Sequence, residues 1–197
     1  MKPNESTRRV MVGGVPVGGG APCAVQSMLN ASADDVEANL DQIEALAAAG
    51  CEIVRMAIPR RSCLDAFESV CSKSPLPVVA DIHFDPVIAC EAARRGAAKL
   101  RINPGNIGGL EKTDVVIEAA REAGIPIRIG VNGGSLEKPL LRKYGGVTAE
   151  ALVESAFGHV ALLNKFDFDD ICISVKCSSV PVTIRAYQLL HERCSYP

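Results

Sequence analysis

Tryptophan is absent from this 197-residue chain, and aromatic residues make up only 4% of it. No excess of positive charge compensates: 21 lysines and arginines face 23 aspartates and glutamates, for a net charge of −2. A nucleic-acid surface needs a basic stripe and rings that stack on bases, so both shortages argue against one. No apolar run approaches the roughly 20 residues of a bilayer-spanning helix, and no membrane segment is predicted. The opening stretch MKPNESTRRVMVGG lacks the apolar centre of a secretory signal, so the expected location is cytoplasmic. Nucleophile elbow, serine triad and zinc-ligand spacing are all missing. So is any C-x-x-C pair, although there are eight cysteines: Cys23, Cys51, Cys63, Cys71, Cys90, Cys172, Cys177 and Cys194. The closest two, Cys172 and Cys177, are an odd number of residues apart, which on a strand puts them on opposite faces. The cysteines therefore read as small hydrophobes in a reducing compartment, with no metal site of their own.

What is present is one pattern, repeated. Short β-rich runs lie at 24–28, 53–58, 77–83, 98–103, 125–132 and 171–177. Helical patterns alternate with them. Ser32, with Asp35 three residues on, is the expected cap of a helix running to Gly50. Asp85-Pro86 starts another that ends at Gly96. Further helices fit 62–72, 111–123 and 148–164, the last with a clear apolar stripe. This alternation predicts a parallel sheet covered by helices.

Residue parity separates an open doubly wound sheet from a closed barrel. Central strands of an open sheet are apolar on both faces. Here each strand carries a polar face. Asp81 and His83 share one parity against Ala80 and Ile82. Lys99, Arg101 and Asn103 oppose Leu100 and Ile102. Arg128 and Asn132 oppose Ile127, Ile129 and Val131; Ser174 and Lys176 oppose Ile173 and Val175; Arg55 lies on one parity of its own strand. A TIM (β/α)8-type barrel accounts for this, with apolar residues packed outward on helices and polar residues at the inner C-terminal rim. Such a barrel has eight strands and about 250 residues. About six βα units can be counted here, so the reading is an incomplete barrel spanning 1–197.

The rim inventory is mostly cationic: Arg55, Arg101, Arg128 and Lys176, with Asp81 as the one acid and His83, Asn103, Asn132 and Ser174 as neutral partners. Converging cations repel unless an anion sits among them. Arginine's planar fork suits phosphate, so a small polyanion such as a sugar phosphate or diphosphate is the expected occupant. The plainer alternative is pairing with carboxylates from other loops. The glycine loops NPGNIGG (103–109) and NGGSLE (132–137) follow two of these strands and can offer backbone N–H groups to a phosphate. His83, beside Asp81, can donate to a phosphate or move a proton. His159 and His191, on helices, read as structural.

The segments AVQSM, IVRMAIP, VADIHFD, LRINPGNIG, IPIRIGVNGGSLEK and SVKCS resemble, in this order, the 4-hydroxy-3-methylbut-2-enyl diphosphate synthase family. The resemblance runs from about residue 6 to the end. It implies a TIM barrel followed by a smaller domain that carries a [4Fe-4S] cluster. It implies reductive opening of 2-C-methyl-D-erythritol 2,4-cyclodiphosphate with two electrons from ferredoxin or flavodoxin, in a homodimer. The family's diphosphate-binding groups match Arg55, His83, Arg101, Asn103, Arg128, Asn132 and Lys176. The family's cluster ligands come from its C-terminal domain, and none of the eight cysteines here matches one. The chain thus reads as a truncated barrel part, inactive alone. Two other readings stay open: a barrel transferase like dihydropteroate synthase, whose barrel is similar, and a non-catalytic phosphate-binding fragment.

Overall fold

The computed structural model describes residues 7–83, 85–103 and 110–197. Six parallel strands form one curled sheet in chain order: β3 (Gln26–Met28), β4 (Ile53–Ala57), β5 (Val78–Asp81), β6 (Lys99–Ile102), β7 (Ile127–Asn132) and β8 (Ile171–Lys176). Each predicted strand is present, a little shorter than its β-rich run. Between them run α1 (Val36–Ala48), α2 (Leu64–Lys73), α3 (Pro86–Arg94), α4 (Leu110–Ala123), α5 (Lys138–Tyr144) and α6 (Ala149–Asn164). The helix α7 (Val180–Arg193) follows β8. The partial barrel read from residue parity is the architecture found.

The outward parity of the strands builds the main core. Val54, Met56, Ala80, Ile82, Leu100, Ile102, Ile127, Ile129, Ile171 and Ile173 pack with Phe67, Ile117 and Leu152 of the helices. A β-strand turns successive side chains to opposite faces. Burying this apolar set against helices therefore commits the alternate residues to the concave face. The register runs Ala57–Asp81–Arg101–Arg128–Cys172 across β4 to β8, so one inward residue from each strand falls in line.

An N-terminal hairpin, β1 (Arg9–Val12) and β2 (Val15–Gly18), was not among the expected elements. Its signal is nonetheless in RVMVGGVPVG, alternating valines around Gly13-Gly14. Gly13 has φ +57°, and a Cβ there would lie 2.8 Å from the Cβ of Pro77, so glycine meets both demands of this turn. Val12 packs with Ile53 and Val79 in a second small core, against which Val15, Val17 and Ala98 rest. This hairpin covers the N-terminal end of the concave face and leaves the C-terminal end for chemistry.

One expected cap is corrected. Ser32 does not cap α1; Asp35 does, accepting from the Ala38 N–H at 3.0 Å, and the helix begins at Val36. The Ser32 carbonyl instead accepts from the Asn39 side chain at 2.7 Å. Asp35 directly precedes the first helical residue, so its carboxylate reaches the first-turn N–H, which Ser32, three residues earlier, does not. Cap placement was right for Asp85, which accepts from Val87 N–H at 2.9 Å. The first turn of the helix expected at 62–72 is a 3₁₀ turn, Arg61–Cys63.

Thr148 caps α6 by accepting from the Ala151 N–H at 3.1 Å. Thr148→Ala is expected to destabilise the protein by about 1 kcal/mol. The urea midpoint should fall with an unchanged slope; an unaltered midpoint would show that the cap is idle.

Candidate anion-binding site

The site is built where inward residues meet the C-terminal ends of the strands. Asp81 ends β5 and its side chain is 2% exposed. Arg101, one strand over and directly opposite, donates from Nη1 to Asp81 Oδ1 at 3.0 Å. Arg55, from the strand on the other side, brings Nε to 3.4 Å from Asp81 Oδ2. Its Nη2 donates to the sulfur of Met28, a weak acceptor. The buried Nε of Arg55 has no hydrogen-bond partner among the described residues. Arg128 lies directly opposite Arg101 on β7. Burial, and then the charge of Arg55, pull its guanidinium below the ordinary range, yet arginine stays charged in proteins. Three guanidinium groups thus lie near one another, and among the described residues Asp81 is the one carboxylate that pairs with any of them. The carboxylate fully serves one of them, half serves another and leaves Arg128 without an ion pair among the described residues.

Other sequence-assigned residues surround this centre. Asn103 follows β6 and is 8% exposed. Ser174, half-buried, faces Gly130 across β7 and β8, and Lys176, exposed, faces Asn132. His83 is exposed just past β5, while Asp81 is held by the arginines. Asn132 ends β7 and caps the turn Gly133–Ser135, its Oδ1 accepting from the Gly134 N–H at 3.2 Å. That use of the oxygen turns the amide NH2 into the end of the side chain left for a ligand. Of the loop NPGNIGG, residues 104–109 lie outside the described residues, and its role is carried here by Asn103 alone.

The rim inventory left out two groups. Gly130 sits at an inward position between Arg128 and Asn132. A Cβ there would lie 2.7 Å from Arg101 Nε and 2.9 Å from its Nη2. The Arg101 guanidinium therefore lies across the bare backbone of β7. Only a glycine allows this, which explains why IRIGVN interrupts its branched residues at that point. The second is Lys99, inward on β6 and buried, which the rim inventory omitted because it precedes the strand end. Behind the rim, Glu137 Oε1 accepts from Ser155 Oγ at 3.0 Å and from His159 Nε2 at 3.1 Å, tying the glycine turn to α6. Burial lowers the His159 pKa, with Glu137 opposing, so the imidazole acts as a neutral donor. Arg60 pairs with Asp34, and Arg61 with Asp85 at 2.9 Å, lacing three adjacent rim loops.

The cysteines do not assemble. Cys172 faces inward, its thiol pushed up by burial, while Cys177 lies past the strand end against Gly133. Cys23 is exposed, unlike the buried Cys51, Cys63 and Cys90. Among the described residues no three Cys, His, Asp or Glu side chains come together as a metal site.

Comparison with known proteins shows the family and agrees with the fold. The family described as "GcpE TIM-barrel domain" matches residues 7–197. A relative from Geobacter sulfurreducens, named 4-hydroxy-3-methylbut-2-en-1-yl diphosphate synthase (flavodoxin), is 56% identical over 97% of this chain and 54% of its own length. One of the same name from Idiomarina loihiensis is 54% identical over 97% of this chain and 51% of its own. The chain spans about half the length of these curated relatives. Among solved structures, a type I 3-dehydroquinate dehydratase from Clostridium difficile superimposes with a TM-score of 0.73 at 13% identity, covering 98% of this chain and 79% of that one. A 7,8-dihydropteroate synthase from Vibrio fischeri gives 0.63 at 14% identity, covering 94% and 73%. At such identities the likeness concerns the fold alone.

Gly130→Ala is expected to leave the fold intact, since the atoms it displaces end a flexible side chain, but to push Arg101 from its place. Affinity for inorganic pyrophosphate should fall on the order of tenfold by calorimetry. Unchanged affinity would show that Arg101 works from another position. Asp81→Asn removes the shared carboxylate and is expected to cost about 3 kcal/mol of stability in urea unfolding.

Proposed function

Because this chain belongs to the family of GcpE TIM-barrel domains, we propose that it is the diphosphate-binding barrel of a 4-hydroxy-3-methylbut-2-enyl diphosphate synthase in isoprenoid precursor biosynthesis. The carrying observation is the group of Arg55, Arg101 and Arg128, of which Asp81 pairs with the first two and leaves Arg128, beside them, without a carboxylate partner among the described residues. The reaction is reductive opening of 2-C-methyl-D-erythritol 2,4-cyclodiphosphate to 4-hydroxy-3-methylbut-2-enyl diphosphate. Flavodoxin, which the relatives' names carry, is the proposed electron donor. Eight unpaired thiols are consistent with a cytoplasmic setting, where cysteines stay reduced.

The barrel's part in this chemistry is to bind and orient. Arg101 and Arg128 present their forks from adjacent strands to the diphosphate oxygens. Arg55 offers the unfilled Nε donor. Lys176, His83, Asn103, Asn132 and Ser174 ring the mouth with further donors. Asp81 fixes Arg55 and Arg101 before any ligand arrives, so little reorganisation of these two is needed on binding. A [4Fe-4S] cluster requires several cysteine thiolates at one place. The described cysteines do not meet that requirement, and no redox step is assigned to residues of this chain. The ligands for the cluster are proposed to lie in a further domain, and the full-length protein is proposed to work as a homodimer. The dihydropteroate synthase likeness rests on fold alone and gives no second reading.

Calorimetric titration of the intact protein with the cyclodiphosphate tests this. Binding is expected, and Arg101→Ala and Arg128→Ala should each weaken it on the order of tenfold or more. If both variants bind as the wild type does, the arginine cup is not the substrate site.

A further inference from the structure

Lys99 is the buried cation that binding at the rim leaves without a task. It opens β6 two residues before Arg101, so strand alternation turns it to the same concave face. It is 4% exposed. Among the described residues it makes neither an ion pair nor a hydrogen bond. An unpartnered ammonium in such a place is costly unless it sheds its proton or meets an anion.

The groups around it do not supply that anion. Arg128 faces it from β7, Arg55 from β4 and the Cys172 thiol from β8. On β5 its register partner is Val79, and the nearest carboxylate of that strand, Asp81, is taken by Arg55 and Arg101. The N-terminal hairpin brings valine to this end, at Val12. Burial lowers the Lys99 pKa, Arg128 and Arg55 push the same way, and Cys172 opposes them. The strand interior therefore holds a suppressed cation directly beneath a cup built for a polyanion.

We propose that Lys99 is the floor of the anion cup, a further phosphate-directed cation that takes up its proton as the anion binds. The inference rests on the cup binding a diphosphate. The bound anion supplies the missing counter-charge, so the ammonium is favoured in the complex and disfavoured in the free protein. Binding is then strongest below the free-state pKa of Lys99 and weakens as pH rises through the pKa in the complex.

The test is titration of the intact protein with inorganic pyrophosphate at about pH 8, above the ordinary histidine range. Two buffers of different ionisation enthalpy report the protons exchanged. The wild type is expected to take up more protons than Lys99→Met, by up to about one per anion, and to bind on the order of tenfold more tightly. Lys99→Arg, always charged, should bind without the extra proton. Equal proton counts in wild type and variants overturn the assignment. Should Lys99→Met fail to fold, the pH profiles of wild type and Lys99→Arg decide: affinity of the wild type should fall more steeply above pH 8, and parallel profiles overturn the proposal. If pyrophosphate does not bind the wild type at all, the cup itself fails and Lys99 with it. Binding that depends on Arg101 but moves no extra proton defeats only the role of Lys99.

Discussion

The concave face of this sheet is organised by one carboxylate. Asp81 is almost fully buried and stands between Arg55 and Arg101, on the strands to either side. Without it, the guanidiniums would have only each other and Arg128 for company. With it, they are held in place but remain under-neutralised. That balance matters: a second carboxylate would satisfy the site internally and close it to ligands. A buried ion pair of this kind contributes little net stability by itself. Its effect is to fix where the arginines point.

The apolar residues do the opposite job on the other face. Valines, isoleucines and leucines of the outward parity pack on the helices and set the register of every strand. A slip of one residue would carry Arg101, Arg128 and Asp81 into the helix layer and the apolar set into the cup. The hydrophobic layer therefore enforces the charged one, although the two sets scarcely touch. The helices bring further order from behind the rim, where Glu137 binds Ser155 and His159 and steadies the turn after Asn132.

This division made much of the protein legible in its sequence. Alternation of polar and branched residues in KLRIN and IRIGVN could be read directly and placed Arg101 and Arg128 on one face, as the parity of IVRMA and VVAD did for Arg55 and Asp81. Other features were legible only in three dimensions. Nothing local marks Gly130 as the bed for an arginine of the neighbouring strand, because that contact depends on register. Lys99 shows the same alternation as Arg101, but burial along the strand axis is not encoded in parity. The cap of α1 went to Asp35 rather than Ser32 because both are good caps and only the helix axis decides between them. The hairpin at Arg9–Gly18 was legible and overlooked, its glycine pair standing apart from the βα repeat.

Arg101 and Arg128 face each other directly across two hydrogen-bonded strands, a pairing of like charges that works against the sheet. An anion between them removes that repulsion, and anything that binds only the folded chain stabilises it by mass action. Under the proposed function, occupancy and resistance to unfolding would thereby be linked. A copy of this protein with its cup filled opens less often, and proteases act on opened chains. Under the proposed function, a filled cup would thus protect the folded chain as well as serve its chemistry.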